Sequence, residues 1–300
     1  METYVISFRA MGSQINVWLE SAEDGPAILQ VVPDWVEAIE AALSRFRLES
    51  ELSRLNQRVG KWTDVSELMQ ANLSEALRAA RATDGLVTPF VWSALVAAGY
   101  DRSFEAMQEA TNIGTPSPLS YWQAVQLDAE TRQVWLPDRI DLGGTAKGWT
   151  AQTIAHRLAV HGACLVDLGG DIVGSGGPWR VDLHDPFHPS TPFVSLTLRD
   201  RAVATSGTDY RRWGVNQHHI IDPRTGAPAL TDLVSVTVIH HDAVLAEAFA
   251  KAVLIQGAVA GLNWLAQQEG AIGLAFKHDG SVMATENFSA YIQTPINEGA

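Results

Sequence analysis

Residues 140–149 read Ile140-Asp141-Leu142-Gly143-Gly144-Thr145-Ala146-Lys147-Gly148-Trp149. A strand runs into two glycines, and from Ala146 the chain enters a helix whose apolar stripe is Ala151, Ile154, Ala155 and Leu158. The spacing predicts a helix from Ala146 to about His161, with Gly162 as its C′ residue. Glycines at such a junction let backbone amides approach a phosphate, and a helix N-terminus favours negative charge. Lys147 adds a positive charge. The order is not a P-loop, because Lys precedes Gly, nor is it GxGxxG. On these residues alone, a tight connection with a solvated lysine stands beside an anion site.

Working outward, strands are predicted at 163–167 and 179–183, split by Gly169-Gly170-Asp171 and Gly174-Ser175-Gly176-Gly177. Further strands fit 193–199, 201–205, 218–221 and 233–240. A helix follows over 243–256, then a shorter one over 259–268, and a hairpin around His278-Asp279-Gly280. Upstream, residues 4–19 read as two strands about a Met11-Gly12-Ser13 turn, and Pro26–Phe46 as one amphipathic helix. Ser66 caps a helix that Asp84-Gly85 stops, and Phe90–Ala98 is a third. Residues 101–120, with Pro116 and Pro118, read as a long surface loop, and 123–127 and 133–136 as strands. The class is α+β or mixed α/β with much antiparallel pairing.

Among 300 residues, 34 acidic side chains outnumber 21 basic ones, giving a net charge of −13. That balance opposes a broad nucleic-acid surface or an anionic membrane as partner, but leaves room for one basic pocket. A hydrophobic fraction of 46% with 18% charged residues is ordinary globular composition. No run approaches the length of a transmembrane helix, and Met1-Glu2-Thr3-Tyr4 begins no signal peptide. The lone Cys164 lies in an apolar run and reads as a small buried hydrophobe. Together these features predict a cytoplasmic protein.

Two more segments put small polar residues after apolar strands: Val166-Asp167-Leu168-Gly169-Gly170-Asp171 and Ala204-Thr205-Ser206-Gly207. The helix Ala243–Ile255 is apolar all round except for Glu247 and Lys251, four residues apart on one face. They read either as a helix-edge ion pair or as charges facing a polar cavity. There is no HExxH, GxSxG or Cys–His cluster, so zinc chemistry and nucleophilic hydrolysis have no support.

Seven segments in order resemble the ApbE family of FAD:protein FMN transferases, over nearly the whole chain. They are Ala10–Ser13, Ser44–Asn56 ("FSxYxxxSELSRLN"), Thr83–Pro89 ("SDGxFDPT"), Ile140–Gly148 ("IDLGGIAKG"), Leu165–Asp171 ("LVNLGGD"), Ala204–Gly207 with Tyr210-Arg211 ("ATSGxYxR"), and His219–Gly226 ("HIIDPRTG"). The resemblance implies an ApbE-like, T-fold-related architecture: one domain over 1–300, either undivided or of two intertwined subdomains, with antiparallel sheets flanked by helices. It implies transfer of FMN from FAD to a Thr or Ser hydroxyl of an acceptor flavoprotein, with AMP leaving and Mg²⁺ assisting. By resemblance, Met11, Phe46, Leu86, Val87 and Thr88 line the flavin and adenosine pocket. Asp141, Gly143, Lys147 and Trp149 hold the ribityl and phosphate region, and Ser206, Gly207, His219 and Ile221 close it.

The family's metal is held by a backbone carbonyl, here Ala146, and by the Asp and Thr of a "DALATAL" helix. This chain has Glu247 and Lys251 at those two positions. Glu247 can still reach a metal, but a protonated Lys251 is no ligand; its ammonium can instead take the metal's place and neutralise phosphate. Glu247, Lys251 and His219 are the candidate catalytic residues. Phe46, Thr88 and Gln152 are smaller departures from the family's Tyr, Asp and Asp. The altered helix keeps open an FAD-binding protein without transfer; an FAD pyrophosphatase differs from the transferase only in using water as acceptor.

Overall fold

The first 21 residues form a hairpin, β1 (Glu2–Ala10) and β2 (Ser13–Ser21). Ala10 faces Ser13, so the turn is Met11-Gly12 alone, with both residues at positive φ. Residues 1–107, 119, 121–213 and 217–292 are described by this computed structural model. The expected loop over 101–120 falls mostly outside them; its described part begins with a short 3₁₀ turn at Phe104–Ala106.

The hairpin starts an eight-stranded sheet that continues with β3 (Ala163–Leu168), β4 (Asp171–Ser175), β5 (Arg201–Gly207), β6 (Leu233–His240), β7 (Ile272–Lys277) and β8 (Val282–Ala284). Each strand pairs antiparallel with the next in chain order. The sheet is thus a meander whose connections carry the other elements. Every residue of β6 is buried, because it lies inside the sheet and both faces are covered.

Eight helices accompany the sheet among the described residues: α1 (Gly25–Leu29), α2 (Val32–Leu43), α3 (Glu51–Asn56), α4 (Glu67–Ala82), α5 (Trp92–Ala97), α6 (Ala146–Leu158), α7 (Ala243–Gln256) and α8 (Ala258–Leu265). Ile15, Val17, Leu19 and Val166 pack against Val32 and Val36 of α2 and Ile154 and Leu158 of α6. Val236, Val238 and Ala204 pack against Phe249, Ala250 and Val253 of α7. On the other face, Leu165, Val203, Ile239 and Leu274 meet the hairpin Trp179–Asp185/His188–Leu198. A third core joins α2–α4 to a small sheet of 63–64, 126–128 and 133–135. There Asn56 clamps the strand-to-helix stretch, donating to Ile140 O and accepting from Ile140 N, both at 2.8 Å.

Several expected elements differ. The predicted helix Pro26–Phe46 is two helices, because Pro33 has no N–H to give Leu29 and a new helix starts around it. It ends at Leu43, where Ser44 is extended. Helix α6 stops at Leu158, so Gly162 is not its C′ residue. Gly162 instead brings the chain against β2: a methyl there would meet Glu20 O at 2.0 Å. Asp171–Ser175, expected as loop, is β4, since Gly169 and Gly170 (φ 61° and 93°) make a two-residue turn between Leu168 and Asp171. Ser206 and Gly207, expected to follow a strand over 201–205, complete β5. Helix α3, capped by Ser50, was not foreseen.

Cys164 lies in β3 with its side chain fully buried and its Sγ 3.5 Å from Ala155 O. Burial pushes the thiol up to about 12. The native protein is expected to resist a thiol-specific reagent at about pH 8 and to react once unfolded in guanidinium. Rapid labelling of the native protein would refute this burial.

Candidate active site

The strand-to-helix stretch 140–149 and the β1–β2 turn meet at a cavity of about 260 Å³, open to solvent. Its walls include Met11, Leu43, Phe46, Tyr100 and Phe104, and its charged groups include Arg45, Asp141, Lys147 and Arg211. Met11 is fixed there by the turn, since its N–H donates to Glu40 Oε2 at 2.8 Å.

Arg45 and Asp141 form a buried ion pair, Nε to Oδ2 at 2.8 Å. The guanidinium lies 4.2 Å from the Phe46 ring centre and 4.6 Å from that of Tyr100. Its Nη2 is buried and without a partner among the described residues. Asp141 also accepts from Gly143 N at 2.8 Å, which shapes the turn into α6. Thr145, at the N-cap of α6, makes no side-chain cap. Ala146 N donates to Leu142 O and Gly148 N to Glu247 Oε2, both at 2.9 Å, so of the three first-turn amides that of Lys147 is left for another acceptor.

Behind this helix end lies a second set of charges. Lys147, half-buried, pairs with the buried Asp171 at the β3–β4 turn. Burial works against the Lys147 ammonium, but Asp171 and Glu247 outweigh it and hold its pKa above the ordinary lysine value. Glu247 of α7 is fully buried. Its Oε2 accepts from Gly148 N at 2.9 Å and its Oε1 from Lys251 Nζ at 2.9 Å. Burial raises the Glu247 carboxyl above the usual carboxylate range, and Asp171 acts in the same sense. Lys251, Lys147 and the Gly148 N–H oppose them. The buried Nδ1 of His219 has no partner among the described residues. Burial first, then Arg211, Lys251 and Lys147, keep its imidazole neutral by pushing its pKa well below the usual value.

Of the residues expected at a cofactor site, Met11, Phe46, Asp141, Gly143 and Lys147 line the cavity, with Ala146 beside them. Leu86, Val87 and Trp149 pack on Val244, Ala248 and Ala252 of α7, and Trp149 also lines a separate polar cavity with Arg78 and Asp242. Thr88 caps the 3₁₀ turn Pro89–Val91 through Phe90 N. Ser206 and Gly207 pair with Val236 and Ser235 in the sheet. Ile221 packs in one cluster with Tyr100 and Trp213. Gln152 accepts from Ala243 N at 2.7 Å, so it caps α7. Sequence reasoning passed over Arg45, Tyr100, Arg211 and Asp171 as site residues. Arg45, Arg211 and Asp171 sit inside quoted motifs, whereas nothing in a single sequence marks Tyr100.

The family model for ApbE matches residues 11–276. The chain belongs to the ApbE family. Among curated ApbE relatives, the FAD:protein FMN transferase of Treponema pallidum is 31% identical over 271 residues, covering 77% of this chain and 72% of that protein. That of Klebsiella pneumoniae is 31% identical over 254 residues, covering 80% and 78%. Among solved structures, the ApbE protein of Thermotoga maritima superposes with a TM-score of 0.85 at 26% identity, covering 98% of this chain and all of that one. The flavin transferase ApbE of Vibrio cholerae gives 0.81 at 25% identity, covering 97% and 99%. The expected ApbE architecture, an antiparallel sheet flanked by helices, is the one observed.

The Mg²⁺ site of the ApbE resemblance meets an unsuitable donor set here. The Ala146 carbonyl accepts from Thr150 Oγ1 at 2.7 Å, and both Glu247 oxygens are engaged. Mg²⁺ requires a near-octahedral shell of oxygen ligands, and Lys251 brings a cation with donors only. Among the described residues no group of three or more His, Cys, Asp or Glu side chains is placed to share an ion. Nor is any helix among them long and apolar enough to cross a membrane.

Proposed function

We propose that this chain is an FAD:protein FMN transferase that moves FMN from FAD to a Thr or Ser hydroxyl of an acceptor flavoprotein, releasing AMP. The observation that carries the reading is the joining of an aromatic cavity to the Lys147 end of α6, with the Lys251 ammonium held on Glu247 beside it. The names of the curated relatives support it. Met11 and Phe46 contact the ring systems, and Asp141 and Gly143 orient the ribityl chain. The Lys147 ammonium and the Lys147 backbone amide hold the pyrophosphate.

In the transfer step the acceptor's hydroxyl oxygen bonds to the FMN-side phosphorus. The bond from that phosphorus to the bridging oxygen breaks, and its electrons leave with AMP. The hydroxyl proton passes to Nδ1 of the neutral His219, an atom with no hydrogen-bond partner among the described residues. Alignment and charge neutralisation do most of the work in such a reaction.

The test is incubation with FAD and a Thr-containing acceptor, reading AMP and the flavin fluorescence of the denatured acceptor. Both together are expected. AMP without labelled acceptor would make the chain a pyrophosphatase, and FAD binding without AMP would make it a binder. FAD is expected to bind more tightly than FMN, and Lys147→Ala to weaken FAD by about 1–3 kcal/mol, the range for a charged hydrogen bond to phosphate. Equal affinity for FAD and FMN, or an unchanged Lys147→Ala variant, counts against a site that spans the pyrophosphate.

A further inference from the structure

We propose that Lys251 is the resident cation of the phosphate site: held on Glu247, its ammonium neutralises the FAD pyrophosphate and leaves no place for a divalent ion. This rests on the reading of the chain as an FAD-dependent FMN transferase.

Helix α7 buries its surroundings almost completely, yet two charged side chains stand on it one turn apart. A buried ion pair is seldom more stabilising than apolar residues of the same volume. A role for the charge beyond stability accounts for the pair at this buried position. Lys251 is nearly buried, with 13% of its side chain exposed, against 1% for Glu247. Its Nζ lies 2.9 Å from Glu247 Oε1 and 3.5 Å from Glu247 O. An ammonium has three donors, so at least one stays available to a phosphate oxygen.

Three cations, Arg211, Lys251 and Lys147, act on the neutral His219 from around it, with Asp171 paired to Lys147 and Glu247 to Lys251. A divalent ion beside Glu247 would be repelled by both ammonium groups and would have to displace the one already on Oε1. A purely structural ion pair would account for the 2.9 Å contact, but it would carry no consequence for ligand or metal binding.

The experiment is titration of the wild-type protein with FAD, followed by flavin fluorescence, in EDTA and in excess Mg²⁺. Alongside it, the electron paramagnetic resonance of free Mn²⁺ is followed as FAD is added. Equal FAD affinity in the two conditions and an undiminished free-Mn²⁺ signal are expected. FAD binding that requires Mg²⁺, or uptake of Mn²⁺ with FAD, overturns the proposal while leaving the transferase reading intact. Absence of FAD binding in both conditions overturns the reading and this proposal with it. Lys251→Met is expected to weaken FAD about tenfold or more, as loss of a charged contact does. If that variant fails to fold with Glu247 unpaired, Glu247→Gln/Lys251→Met keeps the acceptor for Gly148 N–H and removes both charges. Unchanged FAD affinity in whichever variant folds sinks the proposal.

Discussion

Glu247→Ala is expected to destabilise the protein by about 3–5 kcal/mol, the range for breaking a buried ion pair from one side. Glu247 is fully buried and serves two donors on different elements, Gly148 N–H of α6 and Lys251 Nζ of its own helix. Truncation leaves an ammonium nearly out of water with no counterion, and a buried amide with no acceptor. Glu247→Gln should cost less, because its carbonyl oxygen can still accept from Gly148. Urea unfolding of the two variants against wild type measures both. A loss below about 0.5 kcal/mol for Glu247→Ala would match an exposed helix pair and contradict the burial described above.

The second large effect is expected at Gly148→Ala. Within an ordinary exposed helix this change stabilises by about 1 kcal/mol. Here the added methyl would lie 2.6 Å from the carbonyl oxygen of Ala243 and 3.1 Å from Glu247 Oε2. Backbone has to move, so α6 and α7 separate and the Gly148–Glu247 hydrogen bond lengthens. Overpacking of this kind costs about 1–3 kcal/mol, and FAD binding should weaken with it, since the start of α6 shifts. Gly144→Ala is the control. Its methyl would reach only Val87 Cγ1, at 3.9 Å, and its φ is not positive. Equal melting temperatures for the Gly148 and Gly144 variants would show that the two helices can part without cost.

Local signals carried much of the fold. Ser66 and Asp84-Gly85 bound α4 as expected, and the apolar run from Ala243 gave α7 to within a residue. The broken helix near Pro33 and the Gly169-Gly170 turn were also written in the chain, as a proline inside a helical pattern and a glycine pair between apolar runs. Both were outweighed by longer periodic readings. The site is a different case. Arg45 meets Asp141, Lys147 meets Asp171 and Gly148 meets Glu247, each pair joined across 24 to 99 residues of sequence. Periodicity says nothing about such pairings. Motif resemblance named one or both members of each, but the contacts themselves required the fold. That Glu247 and Lys251 face each other followed from their spacing alone; that both are buried did not.

The meander has one interruption with a kinetic consequence. β2 ends at Ser21 and its second partner, β3, begins at Ala163. During synthesis at about 5–20 residues per second, the N-terminal hairpin waits roughly 7–30 seconds for that strand. A lone two-stranded hairpin is marginal in water, so Ile15, Val17 and Leu19 stay uncovered over that interval, although no side chain in the finished molecule is better hidden. Nascent chains stalled before Ala163 are expected to leave the β2 amides unprotected in hydrogen exchange, and chains stalled well beyond β4 to protect them. Early protection would mean that the helices of the insertion cover the hairpin before its sheet exists.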